Sequence, residues 1–432
     1  MRTRFTWMAA VLVAIGFLMA CNTYYSSSSS TNGLVIVPTQ GTTEIPLATA
    51  VMETFSLDLA NGGMSQINNV NGPPAAGLPG PVILDPAGAF AYVIVYQNAE
   101  LVPSATGIEV FAIGSNGKLA AGTTTPLNNA GSVPVFPVAL KMDSAGKFLF
   151  VADSATSDSS GDAVPGAVSV FAVSSGTLSE VAGSPFVLPA EPGGSTPSAS
   201  ALAVTPTVFP VQYSYCSGHT PPTTENLYVA DSTNYVLLNY SVDPTAGALT
   251  LVPYSVTLPG IPTGSVPSGV AVDPCDRFAY VANAGPGSTQ NDVSAYSVCS
   301  TVNVLSTPPC PVADFSLQTV TGSPFPAGDK PGPMTVDAYG KFLYVVNTGS
   351  NNMSGYVINA TTGALTQFSG QPMATGVGPN SIAIRSDDSW LFVANTGYPG
   401  TLSQFAITIS TGTLNSVPAA MTLDYPSGVA VK

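Results

Sequence analysis

Residues 341–352 read KFLYVVNTGSNN, and close variants of this stretch recur along the chain. Each variant places an aromatic residue inside a short apolar run that leads into a turn. These aromatic residues are Tyr92, Phe150, Tyr228, Tyr280, Tyr344 and Phe392. A repeat of about 50 residues, lengthened by insertions, is typical of a propeller or a solenoid.

Further strand patterns flank each copy. An apolar run such as SGVAVDP from Ser268 precedes it, and an alternating run such as AVSVFAV from Ala167 follows it. A glycine turn then leads into a fourth run, as in GALTQFSGQP from Gly363. Each unit is therefore predicted to form four antiparallel strands, the blade of a β-propeller. One blade cannot bury both of its faces, so blades stack around a ring.

The two ends of the chain carry complementary fragments of one blade. Residues 427–432 read SGVAVK and repeat the first-strand motif with nothing after it. Runs that begin at Leu34, Met52 and Gly63 resemble second, third and fourth strands with no first strand. We therefore predict an all-β fold, a seven-bladed β-propeller closed by pairing of the N- and C-terminal strands. An open array is the alternative, and it would leave sheet edges unpaired.

The composition and net charge limit the kinds of partner that this protein can bind. The 432 residues are 45% hydrophobic and 8% charged, with 42 Gly and 39 Pro, which suits a turn-rich globular protein. The net charge of −14 argues against nucleic acid and anionic membrane surfaces as partners. A small neutral ligand or another protein remains compatible with this charge.

The first 20 residues form a segment separate from the repeats. Arg2 and Arg4 precede an apolar run, residues 7–19, that is too short to span a bilayer. The run ends at Cys21 in a sequence that resembles a bacterial lipobox. We predict a lipoprotein signal peptide (residues 1–20), a Ser-rich tether (21–33) and the propeller (34–432). The predicted location is the cell envelope, with a lipid on Cys21 and, from Asn22, sorting to the outer membrane. The alternative is a cleaved secretory signal with an incidental Cys21.

Four further cysteines suit an oxidising compartment, and three pairings are possible. We favour two of the bridges. Cys299 and Cys310 lie close in sequence, and Cys216 and Cys275 occupy matching places in neighbouring repeats. No CxxC spacing occurs and His219 is the single histidine, so neither a metal site nor a cofactor is predicted.

Most charged residues are interpreted as structural. Short acidic side chains favour turns because they bond to nearby backbone, which accounts for Asp85, Asp143, Asp273 and Asp337. The arginines are expected at an exposed turn (Arg277) and in a pair with Asp387 or Asp388 (Arg385). His219 is expected in a solvent-exposed loop.

Lys141 departs from its repeat. It aligns with Ile83, Ala203, Ala271, Thr335, Ala383 and Ala430, none of which is charged. A buried lysine needs a partner, or its pKa falls. Lys141 could reach a central channel and meet a carboxylate or a bound anion. Alternatively, its stem packs and its amine extends to water.

Small polar residues follow a proline at the start of several first strands. These residues are Ser198, Ser268, Asn380 and Ser427. In a propeller they would surround the mouth of the channel and could bind a neutral ligand through hydrogen bonds. Ordered water is the alternative occupant.

The repeats resemble the lactonase-type seven-bladed propellers and the YVTN propellers of surface proteins. The resemblance is carried by residues 340–347, 355–358 and 362–366 and by two copies of Gly-Ser-Pro-Phe, at Gly183 and Gly322. It implies a fold. The lactonase family includes 6-phosphogluconolactonases, whose sites use Arg, His and Glu, and no such constellation maps onto this sequence. We therefore predict an envelope-anchored module that binds a small neutral ligand or an envelope protein. The alternative is a lactone hydrolase.

Overall fold

A computed structural model describes the following residues of the chain: 32–40, 50–71, 77–97, 107–120, 122–127, 136–158, 160–206, 224–255, 257–285, 290–299, 316–417 and 421–432. These residues form 35 β-strands and no helix. No helix long and apolar enough to cross a membrane therefore occurs among them.

The strands group into seven blades, numbered from the N-terminus. Blade 1 contains β1 (Asn32–Thr39), β2 (Val51–Asp58) and β3 (Met64–Asn71). Blade 2 contains β4 (Gly77–Leu84), β5 (Phe90–Gln97), β6 (Gly107–Ala112) and β7 (Thr123–Pro126). Blade 3 contains β8 (Phe136–Met142), β9 (Phe148–Ser154), the inserted hairpin β10 (Thr156–Ser157) and β11 (Ala163–Val164), β12 (Ala167–Ser174), β13 (Thr177–Glu180) and β14 (Phe186–Val187). Blade 4 contains β15 (Ala199–Val204), β16 (Glu225–Asp231), β17 (Val236–Val242), β18 (Leu249–Leu251) and β19 (Ile261–Pro262).

The remaining strands complete the ring. Blade 5 contains β20 (Pro267–Val272), β21 (Phe278–Ala284), β22 (Asn291–Val298), β23 (Leu317–Thr319) and β24 (Phe325–Pro326). Blade 6 contains β25 (Pro331–Val336), β26 (Phe342–Asn347), β27 (Asn352–Ile358), β28 (Leu365–Gln367) and β29 (Met373–Ala374). Blade 7 contains β30 (Pro379–Ile384), β31 (Trp390–Asn395), β32 (Gly400–Thr408), β33 (Thr413–Ser416) and β34 (Met421–Leu423). The last strand, β35 (Ala430–Val431), returns to blade 1.

Each blade is an antiparallel sheet whose first strand lies innermost, which confirms the predicted seven-bladed propeller. The outer edge differs from the prediction of one fourth strand. In blades 3 to 7 two short segments, such as β13 and β14, pair with different parts of the same third strand. The Gly-Ser-Pro-Phe turn of blades 3 and 5 separates the two segments, because proline cannot donate to the ladder.

The repeated aromatic residue lies on the second strand and is fully buried in all six copies. Burying such a ring stabilises the fold by about 1.5–3 kcal/mol. Two of the tyrosines also reach the next blade: the hydroxyl of Tyr280 donates to the Gly363 carbonyl at 3.1 Å, and that of Tyr344 to the Gly412 carbonyl at 2.8 Å. The quoted stretch therefore builds the contact between blades.

The described core divides into seven hydrophobic clusters, and each cluster joins two neighbouring blades. Tyr228 of blade 4 packs with Val281 of blade 5, for example, and Tyr344 of blade 6 packs with Val393 of blade 7. Every junction in the ring is filled, including the one between blades 7 and 1, where Val35 packs with Phe392.

Ring closure follows the predicted pairing of the two ends. Val431 pairs with Val35 and Ala430 with Ile36. Backbone hydrogen bonds extend the contact: Lys432 N–H donates to the Leu34 carbonyl at 2.9 Å, and Ser427 N–H donates to the Pro38 carbonyl at 2.9 Å. The C-terminal strand is thus the innermost strand of blade 1.

The turn acids have the predicted role. One carboxylate oxygen of Asp337 accepts the N–H groups of Lys341 and Phe342 at 2.6 and 2.7 Å, and Asp85 and Asp143 make the same contacts in their own blades. Arg385 pairs with Asp387, one of its two predicted partners.

Arg277 is not at the exposed surface, so that expectation is wrong. Its side chain is buried and forms two hydrogen bonds with Asp273, both 2.8 Å long. It also donates to the carbonyls of Gly340 and Ala360, which belong to blade 6. Removing one partner from such a buried pair typically costs about 3–5 kcal/mol. The sequence position is a turn, but the neighbouring blade covers it.

We expect deletion of residues 427–432 to abolish cooperative unfolding, because it exposes the inner edge of β1 and uncovers the junction between blades 7 and 1. Thermal unfolding followed by circular dichroism measures this effect. Deletion of residues 26–30, within the predicted tether, is the control and should leave the transition unchanged. If both deletions unfold as the full chain does, the ends do not lock the ring.

Candidate functional site

The first strands of all seven blades surround a central channel of about 490 Å³. This volume lies within the usual range for sites that bind small molecules. Aliphatic side chains form much of the wall, and the polar side chains are few. They are Asp85, Lys141, Ser200, Ser268, Thr335, Asn380 and Ser381.

Lys141 brings its amine to this channel. On β8 it pairs with Phe150, just as Ile83 pairs with Tyr92 and Ala271 with Tyr280, so the predicted alignment of the repeats is confirmed. The side chain is exposed to the channel although protein surrounds it. This desolvation lowers the pKa of Lys141 below its ordinary value of 10.5. Among the described residues its amine makes no hydrogen bond and no ion pair.

Asp85 is the carboxylate of the channel wall in the described residues. Its Oδ1 accepts the N–H groups of Ala89 and Phe90, both at 2.7 Å, and so holds the turn after β4. Burial lowers the pKa of Lys141, and no ion pair with its amine occurs among the described residues. Asp85 is therefore a structural acid at the channel wall and does not neutralise the amine.

The predicted mouth residues have different positions. Ser268 and Asn380 line the channel, whereas Ser427 lies beside it and Ser198 lies away from it. The Ser198 hydroxyl contacts the Ser154 hydroxyl at 2.8 Å and accepts the N–H of Ala155 at 3.1 Å. Ligand binding at these four residues stays a prediction.

Several of these side chains hold the ring together. In six blades a proline at or near the start of the first strand has a carbonyl that accepts a hydrogen bond from a side chain of the preceding blade. The pairs, donor first, are Tyr96–Pro137, Ser200–Pro267, Ser268–Pro331, Thr348–Pro379, Asn380–Pro426 and Ser427–Pro79, at 2.6 to 3.4 Å. The mouth hydroxyls are therefore already engaged.

Ser200 is a lining residue that the sequence reading missed. It takes the place of Ser268, because Ala199 pairs with Asp231 as Pro267 pairs with Asn283. Aligning the starts of the first strands on their Pro-Ser dipeptide selects Ser198 as the lining residue of blade 4 instead. Counting back three residues from the aligned Ala203 and Ala271 would have given Ser200 and Ser268.

The loops that lead into four first strands share a left-handed residue directly before the proline. These residues are Val266, Lys330, Gly378 and Tyr425, with φ between 49° and 63°. The carbonyl of each of these residues accepts an N–H from the end of the second strand of the same blade. The donor is the last residue of that strand or the residue directly after it, as Thr348 is for Lys330 at 2.9 Å. This conformation costs about 1–2 kcal/mol for a residue with a side chain. The mouth is thus built from strained but hydrogen-bonded loops.

The carboxyl groups with a raised pKa among the described residues lie outside the channel wall. Glu109 on β6 is fully buried, neither carboxylate oxygen has a hydrogen bond, and burial raises its pKa to about 7. In blade 6 the equivalent residue, Ser354, receives a hydrogen bond from Asn347 at 2.9 Å. Blade 2 has Val95 in place of that asparagine. Glu109 is therefore a buried acid of a blade junction.

The described residues contain no group of three or more His, Cys, Asp or Glu side chains that could hold a metal ion. Cys275 and Cys299 are buried. Their predicted partners Cys216 and Cys310, like Cys21 and His219, lie outside the described residues. The pairing stays a prediction.

Comparison with known proteins agrees with this architecture. Residues 299–432 match the family model described as Lactonase, 7-bladed beta-propeller. This C-terminal part of the propeller is similar to that family. No protein of curated function matches the sequence closely enough to count as a relative.

Solved structures with this fold cover nearly the whole chain. A candidate 6-phosphogluconolactonase of Bacteroides uniformis has a TM-score of 0.67 at 17% identity, covering 93% of this chain and 100% of its own. One from Bacteroides fragilis has a TM-score of 0.66 at 18% identity, covering 94% and 100%. The periplasmic gluconolactonase of Pseudomonas aeruginosa has a TM-score of 0.60 at 16% identity, covering 93% and 99%. At these identities the likeness shows the fold alone.

We expect Lys141→Met to stabilise the protein at neutral pH, with the advantage shrinking as the pH rises toward 10.5. The unfolded lysine holds its proton more tightly than the folded one, so native stability increases across the interval between the lowered pKa and 10.5. Denaturant unfolding at several pH values measures the difference. Lys147→Met, at an exposed turn, is the control and should show little such dependence. A constant difference would place Lys141 in an ordinary aqueous environment.

Proposed function

We propose that the central channel binds an uncharged sugar lactone and that the protein hydrolyses it. The observation that carries this proposal is the amine of Lys141, which faces a channel of suitable size and has no hydrogen bond or ion pair with any residue that the structure describes. The lactonase-type family and the fold of the lactonase-named neighbours support the reaction class. This proposal takes up the lactone hydrolase, the alternative to the binding module predicted from the sequence.

The lowered pKa of Lys141 favours its neutral form, and a neutral amine can act as a general base. In this mechanism Lys141 Nζ accepts a proton from a water molecule as the oxygen of that water attacks the lactone carbonyl carbon. The tetrahedral intermediate then collapses and the ring C–O bond breaks. The departing ring oxygen takes the proton from the Lys141 ammonium, which yields the open hydroxy acid and restores the neutral amine.

The charges near the channel favour a substrate without phosphate. Enzymes commonly hold a phosphate dianion with clustered arginines or lysines. Here Arg277 forms an ion pair with Asp273, and Arg385 forms one with Asp387. Lys141 is therefore the basic side chain of the channel wall in the described residues. The net charge of −14 also repels anions. A neutral lactone avoids both difficulties.

A ligand-binding module without turnover is the second candidate. It is favoured by the absence of a second uncommitted catalytic group in the described channel wall, where Asp85 holds a turn and the Ser200 and Ser268 hydroxyls hold the ring. Such a module would bind its ligand through Lys141 but release it unchanged.

We also propose that the propeller is anchored at the outer membrane of a bacterial envelope through a lipid on Cys21. The lipobox-like residues 18–21 and the Ser-rich segment after them support this placement. Lipid labelling of the expressed protein should be lost in Cys21→Ser while the propeller still folds. Labelling that persists in Cys21→Ser would rule out this anchor.

We expect the purified protein to accelerate the hydrolysis of glucono-1,5-lactone and to leave 6-phosphogluconolactone at the uncatalysed rate. Removing a general base lowers the rate by about 10² to 10⁴, so Lys141→Met should abolish most of the acceleration. Lactone loss is measured with and without protein at several pH values, and the uncatalysed rate is subtracted. The remaining rate should rise with pH toward the lowered pKa of Lys141, since the neutral amine is the active form.

Lys147→Met provides the matched control and should keep full activity. Binding of gluconolactone without acceleration would support the binding module instead. Acceleration that survives in Lys141→Met would move the chemistry away from this residue.

A further inference from the structure

Blades 7 and 1 meet at a pair of tyrosines on the face that carries the channel mouth. Tyr398 lies in the loop between β31 and β32, and Tyr425 lies directly before Pro426, which pairs with Thr39 at the end of β1. The starts of first strands pair with the ends of second strands, as Pro379 does with Asn395. Both tyrosines are therefore on the same face as the start of the first strands.

The two rings form an open platform. Tyr398 is 83% exposed, the highest value among the large hydrophobic residues that the structure describes as exposed. Its ring centroid lies 6.3 Å from that of Tyr425, with an angle of 34° between the ring planes. This arrangement is tilted rather than stacked, so the rings do not cover each other's faces. Val377, 60% exposed, borders the platform, and its carbonyl accepts the N–H of Gly397 at 2.8 Å.

The backbone is arranged to bring these rings together. A Cβ added to Gly400, at the start of β32, would lie 2.5 Å from Pro426 Cδ and 3.0 Å from Tyr425 N. The missing side chain therefore lets the loop of Tyr398 approach the backbone of Tyr425. Tyr425 also has a φ of 51°, a conformation that the equivalent position in blade 7 fills with Gly378. A large aromatic side chain is thus held at a position where glycine would be less strained.

Polar groups lie beside the platform. Asn380 lines the channel and donates to the carbonyl of Pro426 at 3.4 Å, one residue from Tyr425. Its Oδ1 is buried without a hydrogen-bond partner. Asp424, next to Tyr425, is exposed. The carboxylate of Asp424 is therefore an exposed acceptor beside the platform, whereas the buried Asn380 oxygen is not accessible to a ligand. No cation lies over either tyrosine ring within the described part of the chain.

We propose that this platform, defined by Tyr398, Tyr425 and Val377, binds the pyranose rings of a neutral oligosaccharide. The apolar C–H face of a sugar packs on an exposed aromatic ring, and its hydroxyls can donate to the exposed carboxylate of Asp424. A protein partner fits less well, because stable interfaces bury about 800 Å² on each side and this patch consists of two rings and one valine. An anionic glycan would meet Asp424 and the acidic net charge of the protein. The site is separate from Lys141 and does not depend on lactone hydrolysis.

The test is titration of the full protein with maltohexaose, cellohexaose, laminarihexaose and mannohexaose at millimolar concentrations, followed by calorimetry. We expect at least one of these sugars to bind. Tyr398→Ala should weaken that binding about tenfold, the loss expected for one aromatic contact, whereas Tyr398→Phe should retain it because the stacking face remains. Tyr254→Ala removes another exposed tyrosine (44% exposed) and should have no effect.

Tyr398 is exposed, so its replacement is expected to leave folding intact, and an unchanged melting temperature would verify this. The proposal is overturned if none of the four sugars binds, or if binding is equal in the parent and in Tyr398→Ala. Loss of lactone hydrolysis in Lys141→Met with sugar binding retained would show that the two sites are independent.

Discussion

Each blade has two apolar faces, and in this protein a face is buried only when the neighbouring blade is present. The seven hydrophobic clusters lie between blades and not within them. The recurring aromatic residue is the centre of this packing, and the tyrosine hydroxyls of blades 5 and 6 extend it by hydrogen bonds to the next blade. All other features, including the channel, depend on the ring being complete.

The channel has two regions whose polar side chains have different roles. Near the start of the first strands, polar side chains are occupied in linking each blade to the proline of the next. Farther along the strands, Lys141 has no such partner within the described part of the chain. A group that is not needed for stability is available for chemistry. We therefore place the proposed reaction at Lys141 and assign the mouth hydroxyls mainly to the architecture.

The repeat made much of this fold predictable. Strand order, blade number, closure and the alignment of Lys141 all follow from periodicity, because the same local pattern produces the same local structure. Contacts between blades were harder to predict from the sequence. Arg277 looks like a surface turn residue until blade 6 is placed over it. Ser200 was missed because blade 4 has Ala199 where blade 5 has Pro267, so its Pro-Ser dipeptide, residues 197–198, lies two residues earlier than the one in blade 5. The tyrosine platform joins residues of two blades, so no local pattern indicates it.

The position of β35 also determines when the propeller can become complete. This strand is synthesised after every other described strand, yet it fills the innermost place in the first blade. Until it emerges, β1 lacks its inner neighbour and the junction between blades 7 and 1 cannot form fully. Blades 2 to 7 can stack one after another during synthesis, but the ring stays open until β35 emerges. During that interval β1 presents an unpaired inner edge, the kind of strand edge at which one chain can pair with another and aggregate.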